Sequence, residues 1–539
     1  MHQLQVLKID SSCESMMEVF ESQGINNSGD GSTTYADERR DSDTSVVLAT
    51  PRINDIEVPH LSNLKEVDIS NCGILKYVFT LSTLESLSQL EALKIRNCGA
   101  MKVIVEEDGQ RTAVSKAVFF PCLKSIELGN LTSLKGFFLG KNEFQWPILD
   151  DVSIRNCPKM TIFTFGQSTA KKLKFIRTSL GIHSLEGDLK VKTKFPDTVS
   201  TRSHPTTLEQ LALSFHNLSQ MIVEDDYSIR RIVPSNELLQ LQKVVKILVR
   251  RCYQLVEVFE VVALEEINDR IGFSESQKTV VELPNLTEVD LEDLANLKYI
   301  WKSNQWTVVK FPNLTRLSVD GCAKLEYVFT SSMVGSLLQL QELRVSRAAT
   351  KVIVKEEEEC EGKVNEHELR NLKSIELENL PNLKYIWKSN QWTVVKFPNL
   401  TRLSVDGCAK LEYVFTSSMV GSLLQLQELR VSCSATKVIV KEEEECEGKV
   451  NEHELRNLKS IELACLPYLK GLCLGKDAFS WPSLDSLSIF NCPEIDVFTN
   501  GHSDTPKLKV IMTGFRECNV DDDLNSFIKT NQQSFQDFK

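Results

Sequence analysis

The chain repeats itself, and that limits its fold more than any other feature does. Leu297 to Leu377 recurs as Leu383 to Leu463, 86 residues later. Over those 81 positions two differ, Arg347 against Cys433 and Ala348 against Ser434. So close a copy points to a recent tandem duplication or to an error of assembly. An older copy is offset by 335 residues without a gap, Leu123 to Leu189 against Leu458 to Leu524. In it Trp146-Pro147-Ile148-Leu149 and Asn156-Cys157-Pro158 face Trp481-Pro482-Ser483-Leu484 and Asn491-Cys492-Pro493, and Gly187 to Leu189 face Asp522 to Leu524. Two blocks that end in the same terminal unit imply stacked copies of one local structure.

Within the blocks the finer unit reads L-x-x-L-x-L-x-x-C/L. Leu64/Val67/Ile69/Cys72, Leu123/Ile126/Leu128/Leu131 and Leu314/Leu317/Val319/Cys322 are clear instances, with weaker units at Leu4 and Leu208 and half-units at Leu173 and Leu508. Starts in the duplicated stretch step by 26, 32 and 28 residues, the upper end of leucine-rich-repeat periods. Alternation in x-L-x-L puts two side chains on one face of a short strand and the intervening residues on the other. No unit can bury its apolar face alone, so neighbours share a continuous core. The expected fold is an α/β solenoid, a leucine-rich-repeat horseshoe with a concave parallel sheet of short strands and an irregular or short-helix convex side. In the return segment KLEYVFTSSMVGSLLQL, Met333, Leu337 and Leu340 have helical spacing; NLKYIWKSNQWTVVKFPNL, with its β-branched residues and Pro312, favours extended structure.

The same geometry locates a binding face. The residue between the last two leucines of each unit must point away from the core, which gives Asp68, Lys94, Glu127, Ser153, Asp290, Ser318, Arg344, Glu376, Ser404, Arg430, Glu462 and Ser488. This polar stripe of mixed charge suits protein recognition by many modest contacts. Trp301, Trp306, Trp387 and Trp392 are read as packing beneath their return loops rather than as partner anchors. The runs Glu356–Glu359 and Glu442–Glu445 are read as solvated loops rather than docking strips.

Nothing carries catalysis. There is no G-x-x-x-x-G-K-[ST], H-E-x-x-H or G-x-S-x-G. The eight histidines are scattered, with His367 and His453 duplicates in one acidic loop. No enzyme, cofactor or metal is expected. A net charge of −12 disfavours nucleic acid, whose phosphates need clustered Lys and Arg. Cys72, Cys98, Cys157, Cys252, Cys322, Cys408 and Cys492 share one slot of the repeat and read as small buried hydrophobes, not as a disulfide framework.

The expected organisation is a partial leading repeat over 1–21, a disordered insertion over 22–55 and a first block over 56–189. A linker over 190–205 precedes a second block over 206–517, irregular with long loops over 220–285, and a cap over 518–539. The start, MHQLQVLKIDSSC, lacks the pattern of a signal peptide. No run approaches the roughly 18 to 20 apolar residues of a membrane helix, so the expected location is the cytoplasm, or the nucleus by passage.

FPNLTRLSVDGCAKLEYVF, LQELRVS, LKSIELENLPNLKYIW and WPSLDSLSIFNCPEIDVF, with the ending TPKLKVIMTG and DDDLNSFIK, resemble the C-terminal repeats of plant coiled-coil nucleotide-binding leucine-rich-repeat disease-resistance proteins. The resemblance covers nearly the whole chain except 22–55 and parts of 190–285. It implies recognition of a pathogen effector, a guarded host protein or a partner domain of the receptor. Neither the nucleotide-binding module nor the coiled coil of that class occurs in these residues, so ATP binding and switching are not carried over. Secreted plant receptor repeats match less well, because their asparagine ladder and L-x-G-x-I-P turns are missing. The alternative is a generic interaction scaffold such as a ubiquitin-ligase substrate adaptor, but residues 1–60 hold no convincing docking box for one.

Overall fold

The computed structural model describes residues 4–10, 16–20, 61–107, 117–160, 162–185, 215–260, 279–301, 307–355, 365–387, 393–442, 452–513, 516–520, 523–531 and 535. The segments read as insertion (22–55) and linker (190–205) lie outside them, as do Leu208, Trp306, Trp392 and the acidic runs apart from Glu442. The chain divides into two compact units. One comprises Met1–Ser179, Ser184–Pro205 and Glu209–Leu213, the other Leu180–His183, Thr206–Leu208 and Ser214–Lys539.

Each unit is a β-solenoid. In the first, Val6–Ile9, Glu66–Ser70, Ala92–Arg96, Ser125–Gly129, Asp151–Arg155 and Phe175–Thr178 pair in parallel and in chain order. In the second, Leu218–Glu224 leads through Lys246–Arg250, Glu288–Glu292, Arg316–Asp320, Glu342–Ser346, Ser374–Glu378, Arg402–Asp406, Glu428–Ser432, Ser460–Ala464 and Ser486–Phe490 to Val510–Thr513. Gly181 to His183 run antiparallel to the first of these, and Arg516–Asn519 antiparallel to the last. Reversing the last strand uses up hydrogen bonds that an open parallel edge would leave free.

The strands follow the period-two pattern. Val67 and Ile69, or Leu317 and Val319, are fully buried, while their neighbours on the strand are half-exposed or exposed. Register stacks like on like, Leu317 on Leu343, Leu343 on Ile375 and Ile375 on Leu403, so these inward side chains form a continuous apolar column. Truncating one such leucine to alanine costs about 2–5 kcal/mol.

The ninth position turns inward as expected. All seven slot cysteines are buried, and burial pushes the Cys157 and Cys252 thiols up to about 11 and those of Cys322, Cys408 and Cys492 up to about 12. Their thiols donate to backbone, Cys98 to the Arg96 carbonyl at 3.3 Å and Cys252 to Val223 of the preceding coil at 3.8 Å.

The residue before that slot is left-handed in coil after coil, with φ of 59° at Asn71, 52° at Asp293, 67° at Gly321, 53° at Asn379 and 50° at Asn491. Asn, Asp and Gly tolerate this region best. In the first unit the position builds an asparagine ladder after all, one residue ahead of the cysteine slot. Asn156 donates to Asn130 (2.8 Å), Asn130 to Asn97 (2.8 Å), Asn97 to Asn71 (2.9 Å) and Asn71 to Asp10 (2.8 Å).

The return side carries less helix than its spacing suggests. Leu81–Leu84, Ser331–Val334 and Ser417–Val420 are single turns. Much of the rest pairs into small parallel sheets, such as Tyr327–Thr330 with Val352–Lys355 and Thr307–Lys310 with Thr279–Glu282. Trp301 and Trp387 are buried there, each 4.5 Å from a phenylalanine ring, Phe311 and Phe397. His367 and His453 sit in strands, Asn365–Glu368 and Glu452–Glu454, rather than in the acidic loop. At the C-terminus the Asp523 carboxylate accepts from the Asn525 and Ser526 amides and caps a helix over Leu524–Thr530. Asn525 fastens that helix to the last coil, accepting from Phe498 N–H at 2.7 Å and donating to the Thr499 carbonyl at 2.7 Å.

Candidate functional site

The outward-facing residues form two columns, one in each unit. In the first, Asp68, Lys94, Glu127 and Ser153 occupy consecutive strands in exact register. In the second, Asp290, Ser318, Arg344, Glu376, Ser404, Arg430, Glu462 and Ser488 do the same across eight strands. All twelve residues named from the spacing fall in these two columns. It missed the ends of the columns: Lys8 beside Asp68 and Arg177 beside Ser153 in the first, and Ile222, Leu248 and Met512 in the second. Leu248 was legible between Ile247 and Val249, but its apolar side chain does not look like a surface residue. Ile222 was not, because the first strand of that unit is Leu218–Glu224, ten residues past the start suggested by Leu208.

These side chains are accessible yet not idle. Arg344 reaches Glu376 at 3.6 Å, and its copy Arg430 reaches Glu462 at 3.4 Å, with 53% and 57% of the arginine side chains still exposed. A flanking column adds Lys246–Glu288 at 2.7 Å and Arg402–Glu428 at 2.8 Å, and Arg316 lies 3.6 Å from Glu342. In the first unit Lys94 meets Glu66 at 3.0 Å and Arg96 meets Asp68 at 2.9 Å. The Glu66 carboxylate holds the Lys94 ammonium above its ordinary value. Exposed pairs of this kind add at most about 1 kcal/mol each to stability. Their effect is to fix a pattern of alternating charge on a half-exposed sheet face.

A third column runs along the end of the strands. In it Asp320 accepts from Ser346 Oγ at 2.6 Å and from Arg347 Nε at 2.8 Å, and the guanidinium draws its carboxyl below the usual range. Arg347 also reaches Asp293, two coils away, at 3.3 Å, passing the bare Cα of Gly321. Sequence reasoning did not single out this turn, because Asp, Gly, Arg, Asn and Cys all occupy it in the second unit.

Among the described residues no group of three or more His, Cys, Asp or Glu is placed to hold a metal. His453 Nε2 lies 3.2 Å from Asp477 Oδ2 with both side chains buried, and the His453 ring packs on Phe479. No described helix is long and apolar enough to cross a membrane.

The profile described as plant disease resistance protein RPS2-like, leucine-rich repeats, matches residues 1–99, 53–180, 200–349 and 348–435. No curated protein matches the chain. Similar solved structures include the TLR13–ssRNA13 complex (14% identity, 80% of this chain and 81% of that one, TM-score 0.16). Others are the plant peptide hormone receptor RGFR1 with RGF2 (11% identity, 82% and 79%, TM-score 0.14) and a Leptospira interrogans leucine-rich-repeat protein, LIC12759 (14% identity, 57% and 89%, TM-score 0.12). At such scores these three carry no argument about this chain. The repeats make a protein-interaction module, and with the profile running over most of its length the chain belongs to the leucine-rich-repeat family of plant disease resistance proteins.

Proposed function

We propose that the chain is the protein-recognition part of a plant intracellular immune receptor, acting in the cytoplasm without catalysis of its own. Its partner is a protein: a pathogen effector, a guarded host protein or another domain of the receptor. The observation that carries this reading is the in-register column from Asp290 to Ser488. It presents acidic, hydroxyl and basic side chains at a repeat of about 4.8 Å along the sheet, a rigid pattern that a complementary protein surface can read by many weak polar contacts.

The ion pairs allow a clean test. Exchanging the charges within Arg344–Glu376 and Arg430–Glu462 (R344E, E376R, R430E, E462R) keeps both pairs and the net charge while inverting the pattern. Wild type and exchanged protein are compared by capture from leaf extract with quantitative mass spectrometry. The exchanged protein keeps its circular dichroism spectrum and Tm and loses specific partners by tenfold or more. An unchanged set of captured proteins would reject this face.

A further inference from the structure

Cys433 and Cys465 occupy the left-handed turn position in two adjacent coils, with φ of 48° and 54°. Neither residue suits that conformation, unlike the Asn, Asp and Gly that fill most of the column. Arg251 and Arg347, the other bulky occupants, are each held by carboxylates, those of Asp225 and of Asp320 and Asp293. The cysteines have each other. The Cys433 amide donates to the Ala464 carbonyl at 3.0 Å, and Ser432 and Ala464 are register partners. The Cys465 sulfur accepts from Asn491 Nδ2 at 3.9 Å on one side, and on the other its thiol is close enough to raise that of Cys433. That side chains in this column meet across coils is shown by the asparagine ladder, whose links span 2.8–2.9 Å. Strands about 4.8 Å apart fall within the Cα separation of about 4.4–6.8 Å that a disulfide spans.

From this geometry we infer that Cys433 and Cys465 form a reversible disulfide, a redox modification site at the edge of the second unit's sheet. The inference does not depend on what the sheet binds. Cys433 is exposed and Cys465 half-buried, while the slot cysteines are buried. With a peroxide as oxidant, the Cys433 thiolate attacks one oxygen, the O–O bond breaks, and sulfenic acid and hydroxide result. The hydroxide leaves as water with one proton. The Cys465 sulfur then attacks the sulfenic sulfur, the S–S bond forms, the S–O bond breaks, and a second water departs. Two thiols lose two electrons to one peroxide. A thiol or dithiol reductant reverses it by exchange. Partial burial, then the neighbouring Cys465 and Asp406, hold the Cys433 thiol above its usual value, so cross-linking is slow near neutrality and accelerates as pH rises.

The test is peptide mapping of the whole chain after hydrogen peroxide, with alkylation before and after dithiothreitol. Trypsin separates the two residues into Val431–Lys437 and Ser460–Lys470. The expected result is these two peptides joined, with dithiothreitol releasing both thiols and the slot cysteines unoxidised. Cys465→Ala is expected to abolish the link and leave a Cys433 sulfenic acid that dimedone traps. The inference is overturned if both thiols remain alkylatable, if each oxidises separately in wild type, or if Cys433 links instead to Cys446. Circular dichroism of the untreated variant excludes misfolding as the cause of a lost link.

Discussion

The two copies of the duplicated stretch share their interior and part at one turn. Leu317, Val319, Cys322, Leu343 and Val345 of the first copy are buried, and so are Leu403, Val405, Cys408, Leu429 and Val431 of the second. At the turn, Arg347 in the first copy becomes Cys433, and the buried Ala348 becomes the buried Ser434. Both turns keep the left-handed backbone, φ 50° and 48°. In the first copy the guanidinium compensates for the conformation by gripping Asp320. In the second, the Ser434 hydroxyl accepts from the Cys408 amide at 3.3 Å and donates to the Ser432 carbonyl at 2.9 Å, two bonds Ala348 has no hydroxyl to make. The difference teaches that backbone shape at this turn belongs to the coil, while the means of supporting it are local and exchangeable.

The largest effect tests the shared half of that comparison. Leu343→Ala and Leu429→Ala each remove a buried leucine whose register neighbours are isoleucine on one side and leucine on the other. Each is expected to cost about 2–5 kcal/mol in urea denaturation, and the two losses are expected to agree within about 1 kcal/mol. A wider gap would mean that the copies, alike in sequence, differ in how far their cores can collapse.

How much of this was legible before the fold was known follows the same line. The core and the charged face rest on a period of two, which Leu286, Val289 and Leu291 display as plainly as any strand can, so Asp290 and its column fell into place. The pattern blurred where Leu218, Met221 and Val223 lead to Asp226 instead of to the Cys or Leu of the ninth position, and the unit start was set at Leu208. Helical spacing at Met333, Leu337 and Leu340 overstated the helix: one turn forms over Ser331–Val334, and the chain continues through turns over 335–340. The left-handed column went unread although half of it was legible: Asn71, Asn97, Asn130 and Asn156 each precede the ninth position in the first unit. In the second unit Asn, Asp, Gly, Arg and Cys share a φ there and have no side-chain chemistry in common.

A smaller effect separates the two means of support. Cys433→Gly relieves the left-handed backbone, and less the entropy of freeing the unfolded chain it is expected to stabilise by about 0.5–1 kcal/mol. Arg347→Gly brings the same relief but gives up the bonds to Asp320 and Asp293, so its gain is expected to fall short of that of Cys433→Gly or to vanish. Thermal unfolding of both variants beside wild type measures this. Equal gains would show that the Arg347 ion pairs contribute nothing to the turn.

The smallest effect is in the acid range. Arg347, then the Ser346 hydroxyl, hold the Asp320 carboxyl below its usual value against the opposing cost of partial burial. A carboxyl with a depressed folded pKa contributes stability that is complete above its unfolded value, about 3.9, and is lost as pH falls through the folded one. The stability gap between wild type and Arg347→Ala is therefore expected to be flat from neutrality down to about pH 5 and to narrow steadily below that. Cys433→Ala removes no cation from the equivalent turn, and its gap from wild type is expected to show no such narrowing. Urea midpoints at a series of pH values for the three proteins decide it. If the Arg347→Ala gap persisted unchanged into strong acid, the arginine would be supporting its turn by packing rather than by charge, and the contrast between the copies would come down to side-chain volume.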